Sequence, residues 1–228
     1  MHLDTQANRR ILYQSIHYTA TVFTRVLPAI IAGSQDELNP MLNLLLGKVE
    51  WVMLDFMDGR FVQSRALMFD VRLPKGLRYE AHLMVKEPLR SLEELRGKVE
   101  TTIIHVESDR FGYALKMARK LGYEVSAAIN PGTPTNTLEK HLDELDRVLV
   151  MTVEPGRYGS PFVPATLETV KRLRSLASNL PIEVDGAMNP ENAKKARDAG
   201  ANIFASGSYL MKSHDFKGAL KTLEAAVK

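Results

Sequence analysis

Trp51-Val52-Met53-Leu54-Asp55-Phe56-Met57-Asp58-Gly59-Arg60-Phe61-Val62 is the stretch on which the fold turns. Six of its first seven residues are apolar, its length is that of a strand, and Gly59 punctuates it. A strand apolar on both faces belongs in a parallel sheet covered by helices. Asp55 inside the run and Asp58 at its end are therefore out of place, because ionised carboxylates are seldom buried unless paired or metal-bound. Taken alone, the stretch leaves two readings open: structural carboxylates capping nearby amides, or functional ones.

Outward from it, the same pattern repeats. Residues 25–32 read as a first buried strand, followed by Leu38, Met41, Leu42 and Leu45 at helical spacing. Residues 65–78 are less regular, and Pro74-Lys75-Gly76 breaks any helix there. Further strands are expected over 79–85, 101–106, 124–129, 147–153, 181–184 and 202–205. Between them lie helical patterns: Leu89, Leu92 and Leu95; Phe111, Ala114, Met117, Ala118 and Leu121 capped by Asp109; a short helix over 138–145; Leu167, Val170, Leu173 and Leu176. Asn189-Pro190 opens another before Ala193, Ala196 and Ala199, and Phe216, Leu220, Leu223 and Val227 mark a last one. Eight strand-like runs alternating with helices predict an α/β fold, a single (β/α)8 TIM barrel over residues 25–228, preceded by a lead-in over 1–24. A doubly wound open sheet is the competing architecture.

Composition narrows the function. With 45% apolar and 25% charged residues the chain is that of an ordinary globular protein, and its formal charge of +3 is too small to argue for nucleic acid. It has no cysteine, which removes disulfides, thiolate nucleophiles and cysteine-held zinc together. No apolar run is long enough to span a membrane. Arg9-Arg10 precede Ile11-Leu12-Tyr13, but Gln14, Ser15 and His17 interrupt the run too early for a signal-peptide core. A cytoplasmic protein is expected.

In a barrel of this kind, chemistry belongs at the carboxyl ends of the strands. The unusual residues cluster there: Asp55 and Asp58, His82, His105 and Glu107, and Asp185. Glycine turns share that end: Gly156-Arg157-Tyr158-Gly159, Asp185-Gly186-Ala187 and Ser206-Gly207-Ser208. Loops after the last strands of such barrels often hold phosphate through backbone amides. Singly, each has a plainer reading. His82 could be a hydrogen-bonded core histidine, Gly207 a packing glycine, and Met57, Met84 and Met151 core filler.

Taken together, the motifs resemble those of the ribulose-phosphate 3-epimerase family. The likeness lies in Leu54-Asp55-Phe56-Met57-Asp58-Gly59, His82-Leu83-Met84-Val85, His105-Val106-Glu107, Asn130-Pro131-Gly132-Thr133, residues 149–156, Ile182-Glu183-Val184-Asp185-Gly186 and Ala205-Ser206-Gly207-Ser208. The resemblance implies a barrel of the ribulose-phosphate-binding type acting on a phosphorylated ketose. It implies a divalent metal (Zn, Mn, Fe or Co) at Asp55, His82 and Asp185, and Asp55 and Asp185 as acid and base on opposite faces of the substrate. Met57, Met84 and Met151 match positions whose thioethers crowd the reacting carbons. His82 and the glycine turns, Gly156 to Gly159, Gly186-Ala187 and Gly207-Ser208, complete the expected substrate contacts. Homo-oligomers are a family tendency.

The chain departs from the family pattern where it matters. Met53 stands where a metal-binding histidine is expected, and a thioether is a poor ligand for hard divalent ions. Ala29 replaces a substrate-facing serine, Arg157-Tyr158 put bulk into a glycine loop, and Ala187 replaces a glycine. The segment after the second strand is short for a helix. Two functions are therefore carried forward: an epimerase inverting C3 of a ketose phosphate with weakened or lost metal, and a sugar-phosphate-binding barrel that has lost part of its metal site. The related decarboxylases need a lysine between the two carboxylates, and Asp55-Phe56-Met57-Asp58 has none.

Overall fold

The computed structural model describes residues 23–228, so the lead-in expected over 1–24 lies almost wholly outside the described residues. The strands are β1 (Arg25–Ile30), β2 (Trp51–Asp58), β3 (Arg65–Ala66), β4 (Arg78–Met84), β5 (Thr101–His105), β6 (Glu124–Ile129), β7 (Arg147–Met151), β8 (Ile182–Asp185) and β9 (Ile203–Ser206). The helices are α1 (Gln35–Leu45), α2 (Pro88–Glu94), α3 (Phe111–Leu121), α4 (Asn136–Glu139), α5 (Thr166–Leu176), α6 (Pro190–Ala199), α7 (Ser208–Met211) and α8 (Phe216–Ala226).

Parallel pairing runs β1–β9–β8–β7–β6–β5–β4–β2. A further pairing of Ala29 with Met53 and Ile30 with Leu54 joins β1 to β2. That last ladder closes the ring, so the fold is a (β/α)8 barrel and the open-sheet alternative is excluded. The period-two alternation of the strands sorts their side chains. Leu27, Ala29, Met53, Ile103, Ala128, Leu149, Met151, Ile203 and Ala205 fill the interior. Val52, Leu54, Leu83, Ile104, Val148, Val150, Val184 and Phe204 face outward onto the helices. This double burial is why β2 reads as a nearly unbroken apolar run.

Several local expectations need correction. Asp109 does not cap α3: the residue at that position is Arg110 in a left-handed conformation, and Asp109 pairs instead with Lys86 at 3.0 Å. The helix expected over 138–145 is split into α4 and a 3-10 turn at Leu142–Glu144. Strands expected to reach Ala32 and Val153 stop at Ile30 and Met151. Among the described residues there is no helix between β2 and β4. β3 folds back antiparallel on β2, pairing Met57 with Ala66, and an extended segment buries Leu67, Val71 and Leu77 over the outer wall. By contrast, Asn189 does cap α6, accepting from the Asn192 N–H at 2.9 Å.

The floor of the barrel, at the amino ends of the strands, carries a charge group to which the sequence reading gave no role. Arg147 donates through Nη1 to Glu80 Oε2 at 2.5 Å and Glu183 Oε2 at 2.9 Å, all three side chains buried. Burial first, then the charge of Glu80, pushes the Glu183 carboxyl well above the usual range, against the pull of Arg147. Removing one member of such a group strands the others in a low-dielectric interior, at a cost of about 3–5 kcal/mol. Arg147→Met is expected to lose that much in urea unfolding, and Glu183→Gln placed in the same protein to recover part of it. An unchanged midpoint for Arg147→Met would show that the floor is not held by this group of three.

Candidate active site

The opposite rim gathers the expected residues. β2 and β4 run in a register that sets Asp55 beside His82, and β7 and β8 set Met151 beside Asp185. Asp55, Met57, Met84, Met151, Asp185 and Ala29 line one pocket together with Gly156, Arg157, Tyr158, Gly159, Gly186, Ala187, Gly207 and Ser208. His82 is fully buried and lies behind the carboxylates rather than on the pocket wall. The cavity itself is about 40 Å³, room for a few waters.

His82 holds the two carboxylates together. Its Nδ1 is 3.0 Å from Asp55 Oδ1 and 3.6 Å from Asp185 Oδ2. Its Nε2 meets His105 Nε2 at 2.8 Å, and His105 Nδ1 faces Glu107 Oε2 at 3.3 Å. Glu107 is anchored in turn by the Asn130 N–H and the Thr133 hydroxyl. The proton positions follow from these partners. Burial would raise the Glu107 carboxyl, but the His105, Thr133 and Asn130 hydrogen bonds outweigh it and hold it low. An ionised Glu107 only accepts, so His105 carries its proton on Nδ1 and offers a lone pair at Nε2. Burial, with the charge of His82 added, pushes His105 down to about 4 and keeps it neutral despite Glu107. His82 must then donate from both nitrogens, which makes it an imidazolium. Burial alone would lower its pKa, yet the hydrogen bond and charge of Asp55, with Asp185 behind, leave it raised.

Asp185 feels the opposite balance. Burial and the charge of Asp55 push its carboxyl up to about 7, with His82 offsetting only part. Near neutrality it is thus poised between holding and releasing a proton. Asp58, by contrast, is structural: its oxygens accept from the Arg60, Phe61 and Lys86 N–H groups at 2.7–2.8 Å, tying the loop after β2 to the end of β4. His105 was noted on the sequence but given no role. The signal was its parity, since Thr101, Ile103 and His105 alternate on one face of β5 as Glu80, His82 and Met84 do on β4.

Oxygens of Asp55 and Asp185 and a ring nitrogen of His82 lie within 4.8 Å of one another, so this buried group could hold a metal ion. The donor set, two carboxylates and an imidazole, suits a borderline or hard divalent cation. Met53, fully buried in the interior layer below, offers no comparable ligand.

Fold and site together define a (β/α)8-barrel enzyme with a carboxylate–histidine centre at its catalytic rim. The sequence profile described as "Ribulose-phosphate 3 epimerase family" matches residues 24–211. The chain belongs to the ribulose-phosphate 3-epimerase family and is an isomerase of the epimerase type. It is 30% identical over 214 residues to the chloroplastic ribulose-5-phosphate-3-epimerase of Arabidopsis thaliana, covering 88% of this chain and 76% of that one. It is 31% identical over 199 residues to the ribulose-phosphate 3-epimerase of Schizosaccharomyces pombe, covering 82% and 86%. Among solved structures, KGPDC of Streptococcus mutans superposes with a TM-score of 0.65 at 12% identity, over 90% of this chain and 97% of that one. 3-Hexulose-6-phosphate synthase of Salmonella typhimurium does so with 0.64 at 12%, over 89% and 98%. At such identities these two speak for the fold alone.

Proposed function

We propose that the protein inverts C3 of a ketose phosphate, interconverting D-ribulose 5-phosphate and D-xylulose 5-phosphate. One observation carries the reading: Asp55 and Asp185 face a common pocket from the same rim, with the His82 ring between them. The C3 proton lies next to a C2 ketone, so it can be removed if charge moving onto the C2 oxygen is stabilised. Asp55 takes the proton from one face. Asp185, whose carboxyl retains a proton near neutrality, returns one to the other face, and the roles reverse in the back reaction. Met57, Met84 and Met151 wall the reacting carbons off from water. A divalent cation held by Asp55, His82 and Asp185 would supply positive charge beside the C2 oxygen. The glycine turns around Gly186 and Gly207 face the phosphate end. Cytoplasmic, homo-oligomeric action belongs to the same reading.

A coupled assay with D-ribulose 5-phosphate and added Mn²⁺, Fe²⁺, Co²⁺ or Zn²⁺ tests it, and turnover above a metal-free blank is expected. No turnover with any of the four ions would count against it. Met53 and the small cavity favour a second reading, a barrel that binds sugar phosphate without epimerising it. Metal analysis separates the two, because stoichiometric, tightly held metal in the natural protein rules against the second.

A further inference from the structure

The loop after β7 sends one aromatic side chain across the pocket. Tyr158 accepts from the Ile31 N–H at 2.9 Å and donates to the Ala29 carbonyl at 2.8 Å, linking the loop to the far side of the barrel mouth. Its ring lies directly on Gly207: a Cβ added there would collide with Tyr158 Cε1. Lys212 Nζ stands 5.6 Å from the ring centroid. Tyr158, Ala29 and Gly207 are thus a matched set, since a side chain at 207 would evict the ring. Burial and the nearby Asp55 charge raise the phenol pKa, so the hydroxyl stays protonated and able to donate. What remains of the pocket, about 40 Å³, is far below the several hundred Å³ typical of small-molecule sites.

The ring stands among the same glycine turns that, on the reading proposed above, receive the phosphate. We propose that Tyr158 is a specificity-determining gate, whose phenol fills the phosphate end of the pocket and must swing out before a phosphorylated ketose can bind. Gly156 and Gly159, at φ of 113° and 85°, flank it, and among the described residues nothing lies within 4 Å of the space a side chain at 159 would occupy. The loop therefore has room to turn at its Gly159 end, whereas Gly156 packs against Val62 and serves as the fixed end. Opening gives up two hydrogen bonds and the ring's contact with the exposed Lys212, and uncovers the Ala29 carbonyl and the Ile31 N–H. A phosphate can accept from the uncovered Ile31 N–H with the exposed Lys212 ammonium close to the space the ring leaves; an unphosphorylated sugar gains no charge partner there, so the gate selects for anionic ligands.

The inference rests on the proposed epimerase reading, and the test keeps the two apart. Inorganic phosphate binding is measured by calorimetry on the full chain and on Tyr158→Phe and Tyr158→Gly, alongside D-ribulose 5-phosphate kinetics with added Mn²⁺. Losing the two closing hydrogen bonds is expected to tighten phosphate roughly 5- to 100-fold. KM should fall by a similar factor, with a much smaller change in kcat. Tyr158→Phe keeps the ring volume and guards against a loop that fails to fold around glycine. Unchanged or weaker phosphate binding in Tyr158→Phe overturns the gate, whatever the kinetics show. Tighter phosphate with no epimerisation by any form supports the gate and sinks the function; epimerisation without a gain in phosphate affinity does the reverse.

Discussion

Asp185→Asn is expected to do two opposite things: cut kcat/KM by about 10²–10⁴-fold and make the metal-free fold more stable at pH 8. The first follows from removing one of the two groups that exchange the C3 proton. The second follows from linkage. The folded Asp185 carboxyl titrates at about 7 against an ordinary 3.8, because burial and Asp55 penalise its charge. Between those values the native state binds more protons than the unfolded chain, so stability falls as pH rises. Above pH 7 the whole penalty is present, on the order of 2–4 kcal/mol. Asparagine keeps the shape and removes the charge. Urea unfolding in EDTA should therefore show the variant more stable at pH 8, with the gap closing as pH falls from 7 toward 4. A variant no more stable than the natural protein at pH 8 would mean the charge is not strained, and retained turnover would remove Asp185 from the chemistry. Adding metal should narrow the gap from the other side, since a cation relieves the natural carboxylate and not the amide.

The second large effect is expected from Met53→His. Met53 is fully buried in the interior cluster that holds Leu27, Ala29 and Ile103, one inward position below Asp55 on the same strand. A histidine there would add a fourth ligand. Loss of a mere outer partner changes metal affinity about 10- to 100-fold, so a direct ligand should tighten binding by about 10²-fold or more. Without metal the imidazole would be a polar group in an apolar layer, costing about 1–3 kcal/mol. The expected signature is a lower melting temperature in EDTA, a higher one with Zn²⁺ or Mn²⁺, and faster epimerisation. In both proteins, binding at His82 Nδ1 must displace a proton, so metal affinity should rise with pH. If Met53→His binds metal no more tightly, the methionine is not what limits the site.

The barrel was legible because parallel strands buried on both faces write themselves as apolar runs, and the carboxylates stood out against them. What stayed hidden depended on side-chain partners rather than pattern. Residues 66–73 (Ala66, Leu67, Met68, Phe69, Val71, Leu73) are apolar enough for a helix but keep no helical period: Ala66 packs with Met57 and Met84, and the others pack as irregular chain on the outer core. Asp109 looked like a cap until Lys86 proved to be its partner. Arg147, Glu80 and Glu183 were given no role on the sequence, although Glu183 lies in a quoted motif, and only the closed ring brings them within bonding distance. Tyr158 was legible as added bulk in a glycine loop. Its bonds to Ala29 and Ile31, 129 and 127 residues away, were not.

Trp51, the chain's sole tryptophan, lies at the barrel floor with the Arg25 guanidinium 4.5 Å and the Arg78 guanidinium 4.1 Å from its ring. Its indole emission is therefore an intrinsic reporter located at the end of the molecule remote from the chemistry. Ligands and metals arriving at the rim should leave that signal nearly untouched, whereas loss of the ring of strands should change it at once. Occupancy and global unfolding can thus be read separately in one cuvette, without any added label.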